Sequence, residues 1–377
     1  MDRTTGTTKA ILSGKRGVKK LRWPRWAGYA ALMWSLTYGA LGLYWALGGA
    51  GFPFGREHDP DAALSVFADV HKEVGAPVVA VLGFVATAVA MATLRLPGRG
   101  VLRLALLGFA WSAAAALALV IPDYRVLVAV AYAPIVVLGT PFGWPPNVNL
   151  IDAFPWPVVN QFVCIAGGLA WAATAVAYGR RTSGACATCG RSDANEGWTL
   201  PESAVRWGRW AVYVAVIVPV LYALTRWAWA LGIPLGISKA FLRQGQAMGL
   251  WWAGAALATL AVGGAVLTLG LTQRWGEVFP RWLPFLRGRR VPIWLAVVPA
   301  CIVSVLVTTA GLMFVRMTLA GTLGGVFGNG KELVFTTENW AALAPELLWP
   351  LWGVALGAAT LAYYYRRRGR CSYCRRL

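Results

Sequence analysis

Residues 180–191 of this chain read RRTSGACATCGR, and a long apolar run ends directly before them. The stretch combines arginines with a Cys-x-x-Cys pair. The chain closes in the same way, because residues 365–375 read YRRRGRCSYCR and follow another apolar run. A succession that occurs twice predicts two related halves, each of which ends in a basic segment with two cysteines.

The composition is typical of an integral membrane protein. Of the 377 residues, 58% are hydrophobic and 13% are charged, and the mean hydropathy is +0.57. A soluble domain carries about 25% charged residues. In a soluble protein, a net charge of +20 would suggest that the protein binds nucleic acid. This sequence contains no nucleic-acid-binding motif, and we expect no nucleic-acid partner. The basic segments are instead expected to obey the positive-inside rule and to contact anionic lipids.

Eight apolar runs are long enough to cross a bilayer, which takes about 20 residues. They cover residues 24–48, 74–94, 101–121, 157–179, 207–232, 246–273, 291–313 and 344–365. Two shorter apolar segments, 126–140 and 314–328, are predicted to be re-entrant or half-length helices. Such elements persist in a membrane when they pack within protein or line a cavity.

The distribution of cations favours eight crossings over ten. With eight crossings, 27 of the 35 Lys and Arg residues fall on one side of the membrane. If both short segments also crossed, the basic segments 180–206 and 274–290 would lie outside, against the positive-inside rule. The abundance of Ala, Gly, Val, Trp and Arg is typical of a GC-rich bacterial genome. We therefore predict a multi-pass protein of a bacterial cell membrane, with both termini in the cytosol.

Internal matches indicate two tandem repeats. Residues 25–29 (RWAGY) match 209–213 (RWAVY), and residues 45–48 match 229–232 as WALG, both at a spacing of 184. The two Cys-x-x-Cys pairs are 185 residues apart. The predicted fold class is an all-α polytopic membrane protein with two tandem four-helix repeats of parallel topology, together with the short half-length helices.

The predicted domain organisation follows from these matches. It comprises a basic cytosolic tail (1–23), a first four-span repeat (24–190), a cytosolic linker (191–207) and a second four-span repeat (208–377). Some transporter folds are built from parallel repeats, with the substrate site at the interface between them.

One segment resembles a known family. Residues 45–49 read WALGG at the end of the first span, and this segment and the four-span layout resemble the DUF3995 family of uncharacterised actinobacterial membrane proteins. The resemblance implies a four-span fold for each half. It implies no activity, because none is established for that family.

The two Cys-x-x-Cys pairs predict a metal site. Zinc takes four thiolates in a tetrahedron, and Cys-x-x-Cys offers two of them from one turn. The ligands would be Cys186, Cys189, Cys371 and Cys374, brought together if the repeats pack about a two-fold axis. No histidine or carboxylate accompanies both pairs, so zinc here would be structural. The alternatives are free thiols in a flexible tail or a redox pair, although a thioredoxin-like site requires a βαβ fold.

Polar residues near the spans are candidates for a substrate site. The candidates are Glu346, Arg226, Arg316 and Asn160. An ion pair of Glu346 with Arg226 or with Arg316, facing a central cavity, would suit an anion or a proton. The alternative is that these side chains extend to the outer interface. The acidic residues of the loop 57–73 are expected to be solvated.

The sequence leaves three functions open. It contains no P-loop, no His-Glu-x-x-His and no Gly-x-Ser-x-Gly motif, so a non-enzymatic role is favoured. The first hypothesis, by fold analogy, is a transporter-like protein that handles a small or lipophilic substrate at the interface between the repeats. The second is a scaffold or accessory subunit, stabilised by zinc, that binds another membrane protein. A lipid-modifying enzyme comes third, because no catalytic set is apparent.

Overall fold

A computed structural model describes residues 23–139, 154–192, 197–281, 285–321, 337–371 and 373–376. This part of the chain is helical and contains no strand, apart from one isolated antiparallel bridge between Val278 and Arg290. Its α-helices are α1 (Trp23–Ala46), α2 (Lys72–Arg95), α3 (Gly100–Val120, with a final π-helical turn), α4 (Tyr124–Gly139), α5 (Trp156–Thr182), α6 (Pro201–Ala230), α7 (Lys239–Ala247), α8 (Leu250–Leu269), α9 (Ile293–Leu319) and α10 (Trp349–Arg367), and the single turn Ala344–Leu347 precedes α10.

Six of these helices are long and apolar enough to cross a membrane: α2, α3, α5, α6, α8 and α9. In the apolar interior of a membrane, every backbone N–H and C=O group needs a hydrogen-bond partner within the protein, and an α-helix provides these partners. Helices α1 and α10 have 24 and 19 residues, but their many Trp, Tyr and Gly residues lower their hydropathy. The structure is therefore that of an all-helical membrane protein, as the composition predicted.

The two shorter apolar segments, 126–140 and 314–328, differ in structure. The segment 126–140 lies largely in α4, whose 16 residues span about 24 Å at 1.5 Å per residue. Residues 314–319 continue α9 instead of starting a separate short helix, because the apolar run does not break there and Met317 is buried. The prediction of a separate helix was wrong for these six residues, and residues 322–328 lie outside the described part.

The helices pair in the same order in both halves of the chain. In the first half, α1 packs against α2 and α5, and α5 packs against α3. In the second half, α6 packs against α8 and α10, and α10 packs against α9. The last helix of each half, α5 or α10, is therefore in contact with two others.

Arginines at the end of α5 and α10 fix one end of the molecule. The guanidinium of Arg181 donates to the carbonyls of Leu94 and Leu96, at the end of α2. The guanidinium of Arg366 donates to the carbonyls of Leu271 and Thr272, just after α8. Cations favour helix C-termini because the last carbonyls lack intrahelical partners. We call this the cysteine end, because the four cysteines described below lie beside it, and the opposite end the far end.

The two halves also meet at the far end. Leu64 of the first half is buried with Met313 and Met317 of α9, and the guanidinium of Arg316 donates to the Leu64 carbonyl. Helix α4 packs against α9 nearby. The contact between the halves therefore includes both ends of the bundle.

Helices α1 and α2 approach closely because glycines face each other. A Cβ atom on Gly42 would lie 2.5 Å from the backbone nitrogen of Ala80, and one on Gly83 would lie 2.4 Å from the Cα atom of Gly39. Small residues permit such backbone contact between membrane helices.

We expect Gly42→Ala to destabilise the protein by about 1–3 kcal/mol, because the added methyl group collides with backbone that cannot move aside. Gly108→Ala is the matched control, since nothing lies within 4 Å of a Cβ at that site. Alanine should there be neutral or stabilising by up to about 1 kcal/mol through its helix propensity. Thermal unfolding of both variants in detergent measures the difference, and equal effects would refute the close packing of α1 on α2.

Candidate metal centre and buried polar sites

Four cysteine side chains converge at the cysteine end. Cys186 and Cys189 follow α5, whereas Cys371 and Cys374 follow α10. Their sulfur atoms all lie within 4.8 Å of one another, with Cys186 Sγ 4.0 Å from Cys371 Sγ and Cys189 Sγ 3.6 Å from Cys374 Sγ. Four sulfurs placed tetrahedrally at 2.3 Å from one ion are about 3.8 Å apart. The four cysteines could therefore hold a metal ion.

The two cysteine turns have the same local geometry. The backbone N–H of Cys186 donates to the carbonyl of Arg191 at 2.9 Å, and Gly190 N–H donates to the Cys186 carbonyl at 2.8 Å. Residues 371–376 form the same two bonds, at 3.1 and 2.9 Å. Gly190 and Arg375, at the same position of each turn, both have positive φ, +74° and +58°, which closes each turn.

Arginines hold the two turns against each other. The guanidinium of Arg191 donates to the carbonyl of Arg376 at 3.0 Å, and Arg376 donates to the carbonyl of Arg191 at 3.2 Å. Arg368 donates to the carbonyl of Cys189 at 3.2 Å. These positive charges would offset part of the net charge of about −2 that four thiolates and one divalent ion carry.

Local interactions shift the pKa values of the Cys371 and Cys189 thiols in opposite directions. Burial acts to raise the pKa of Cys371, but hydrogen bonds from the backbone N–H groups of Cys374 and Tyr373 outweigh it and lower the pKa to about 7. Burial, followed by interactions with the neighbouring thiols, raises the pKa of Cys189 to about 12. Metal binding would require all four sulfurs as thiolates, so it would release protons from this cluster.

A buried ion pair lies toward the far end of the second half. Arg226 of α6 pairs with Glu346 in the turn before α10, and their side chains are only 10% and 8% exposed. The guanidinium lies over the rings of Tyr222 and Trp229, with centroids at 4.6 and 4.3 Å. It also donates to the carbonyl of Ala341 at 3.3 Å. Stacking and pairing together fix the arginine in one position.

Two polar atoms beside this pair lack partners among the described residues. They are Oε2 of Glu346 and Nε1 of Trp349, both buried. The Trp349 ring contacts Tyr222, with a centroid distance of 5.8 Å. A buried polar atom without a partner costs about 1–3 kcal/mol, so this cluster is polar but incompletely satisfied.

The other predicted polar residues are engaged elsewhere. Asn160 is buried in α5 and its Oδ1 accepts a 2.8 Å hydrogen bond from the Tyr38 hydroxyl. Arg316 lies in the last turn of α9 and donates to Leu64. Of the two ion pairs considered for Glu346, the structure therefore forms the one with Arg226.

Sequence reasoning noted Asp123 and Arg125 beside the first short segment but did not predict the buried charge network that they form at the far end of the first half. The guanidinium of Arg125 donates to both carboxylate oxygens of Asp59 at 2.8 and 2.9 Å and to Asp123 at 2.7 Å. The Gln161 amide also donates to Asp123, at 2.8 Å. Asp59 is 4% exposed, so its prediction as part of a solvated loop was wrong. The adjacency of Asp123 and Arg125 beside an apolar segment was the available signal.

A comparison of the chain with protein-family models, with curated proteins and with solved structures finds no match in any of the three. The functional argument therefore rests on the geometry of these sites.

We expect Arg226→Met to lower the free energy of unfolding by about 3–5 kcal/mol, because it leaves the Glu346 carboxylate buried without a counter-charge. Adding Glu346→Gln should recover a large part of that loss, since a neutral amide is cheaper to bury. Arg243→Met, at an exposed position of α7, serves as the control, with an effect within about 0.5 kcal/mol. Thermal unfolding of the three variants measures this, and a double variant no more stable than Arg226→Met would contradict the interpretation.

Proposed function

We propose that this chain is a membrane scaffold or accessory subunit, built of two four-span repeats that a structural zinc ion ties together. The observation that carries the proposal is the meeting of four thiols from segments 185 residues apart, at sulfur separations suited to a tetrahedral ion. A four-sulfur tetrahedral set is typical of zinc or iron, and zinc suits a purely structural role because it has no redox chemistry. A complete set of four protein ligands leaves no open position for substrate.

Corresponding contacts support the repeat. Arg181 and Arg366, 185 positions apart, both bind carbonyls at or just after the end of the second long helix of their half. Each also lies over the ring of a tyrosine three residues earlier, Tyr178 or Tyr363, at 5.3 and 5.8 Å. The shared order of helix pairing and the matching cysteine turns point the same way.

Eight crossings and cytosolic termini complete the proposal. The ends of α5 and α10 lie together, so the chain between them returns to the same side after an even number of passes. Helices α6, α8, α9 and α10 supply four passes in the second half, and α1, α2, α3 and α5 supply four in the first. Several described arginines lie at the cysteine end, among them Arg181, Arg191, Arg366 and Arg368, and the positive-inside rule assigns such an end to the cytosol of a bacterial cell.

A scaffold role is supported by the use of polar side chains within the protein. Asn160 is bound by Tyr38, Gln161 by Asp123, and Arg226 by Glu346. These contacts rigidify the bundle. The partner in this proposal is another membrane protein, held against the apolar outer faces of the helices.

We expect one zinc ion per chain in the purified protein, measured by elemental analysis together with iron. Cys186→Ser should lose the metal, because three thiolates hold zinc less tightly and the tetrahedron is broken. Cys301→Ser is the control and should retain it, since Cys301 lies in α9 outside the cluster.

A split protein tests the tie itself. Fragments 1–192 and 197–377, expressed together, should co-purify and should separate more readily after Cys186→Ser or chelation. Iron in place of zinc would refute the zinc assignment. Fragments that associate equally well without metal would refute the role of the site in joining the halves.

A transporter-like function, with a small or lipophilic substrate at the interface between the repeats, is the second candidate. The observation that favours it is the buried Arg226–Glu346 pair with its unpartnered carboxylate oxygen. An ionisable pair inside a membrane protein is a recurrent feature of substrate and proton pathways.

The two functions differ in whether water reaches Glu346. A transport pathway would let a water-soluble carbodiimide and an amine modify Glu346 in protein reconstituted into vesicles, whereas a scaffold should leave it unmodified. Glu338 is exposed and should react in either case, which makes it the internal control. Peptide mass spectrometry reads out both sites, and modification of Glu346 to the extent of Glu338 would favour the transporter over the scaffold.

A further inference from the structure

A small cavity lies between α6 and α10 at the cysteine end. Its volume is about 40 Å³, enough for a small polar group and much less than a whole lipid. The apolar part of its lining comes mainly from small residues, Ala204 and Gly208 of α6 and Ala359 and Ala362 of α10. We call this cavity the α6–α10 notch.

The notch exists because two helices touch through small side chains. A Cβ atom on Gly208 would lie 2.4 Å from the Cβ of Ala362, so the backbones approach closely at this level. Larger residues flank the contact, among them Tyr363 and Leu271. A gap next to a close helix crossing is the result.

Two arginines, Arg209 and Arg366, give the notch a polar side. Arg366 is neutralised in part, because it pairs with Glu277 at 2.9 Å and donates to the carbonyls of Leu271 and Thr272. Arg209 lines the same notch, is exposed, and has no hydrogen-bond partner among the described residues. The notch therefore carries one uncommitted guanidinium.

Its position matches the boundary of a membrane. Arg209 lies two turns inside the start of α6, one of the six helices suited to cross, and the next residue, Trp210, is 73% exposed. Exposed tryptophans are enriched at the level of lipid headgroups. Arg206, one turn earlier, is exposed as well, so the cations here face the headgroup region.

We propose that the α6–α10 notch binds the phosphate of an anionic phospholipid in the leaflet at the cysteine end. Arg209 donates to the phosphate oxygens, which a guanidinium contacts through two parallel hydrogen bonds. The glycerol end of the lipid lies against the small residues of the notch. Basic pockets between membrane helices are suited to anionic headgroups, and the surplus of positive charge at this end provides the complementarity. This site is independent of the zinc cluster.

Native mass spectrometry of the full-length protein tests the proposal. Detergent-solubilised protein is titrated with phosphatidylglycerol and, separately, with phosphatidylcholine. The wild-type protein should bind the anionic lipid more tightly than the zwitterionic one. Arg209→Gln should weaken phosphatidylglycerol binding by about tenfold, the effect of losing one charge-assisted contact.

Arg206→Gln is the matched control, because it removes another exposed cation from the same end of α6, one turn from Arg209 and outside the lining of the notch. It should leave lipid binding at the wild-type level. Equal losses in both variants would show diffuse electrostatic attraction and overturn the proposal. Displacement of phosphatidylglycerol by millimolar inorganic phosphate would show that the site takes free phosphate and would overturn the lipid assignment. Unchanged unfolding temperatures confirm that both variants are folded.

Discussion

The convergence of four cysteine side chains from segments 185 residues apart constrains the rest of the structure. For their sulfurs to lie within 4.8 Å, the ends of α5 and α10 must stand side by side. The second half of the chain must then start and finish at the same end of the bundle. The order of helix pairing, with the last helix of each half packed against the first and the third, is compatible with that requirement.

Arginines have three different environments at the cysteine end. The guanidinium can make several contacts because it has several hydrogen-bond donors in a fixed plane. Arg181 and Arg366 satisfy carbonyls where helices end. Arg191 and Arg376 join the two cysteine turns by reciprocal hydrogen bonds. Arg209 is left facing outward. Part of the high net charge therefore serves hydrogen bonds within the protein.

The two halves use different side chains at the far end. Gly42 precedes Arg226 by 184 residues and Gln161 precedes Glu346 by 185, so the proposed repeat would make them equivalent positions. In the first half, the glycine permits close contact with α2 and the amide binds Asp123 through both its oxygen and its nitrogen. In the second half, a buried ion pair with one unpartnered oxygen occupies the same level.

The sequence by itself determined the helices, the membrane character and the identity of the four cysteines, because length, hydropathy and spacing are local properties. Only the tertiary structure decided which groups meet. In the folded protein, the four thiols lie close enough to bind one ion. Glu346 pairs with Arg226, whereas Arg316 donates to the carbonyl of Leu64. Asp59 is buried in an ion pair with Arg125. Helix α9 extends through residues 314–319. Which side chains contact each other depends on which helix faces pack together. The hydropathy of one helix does not reveal which helix it faces.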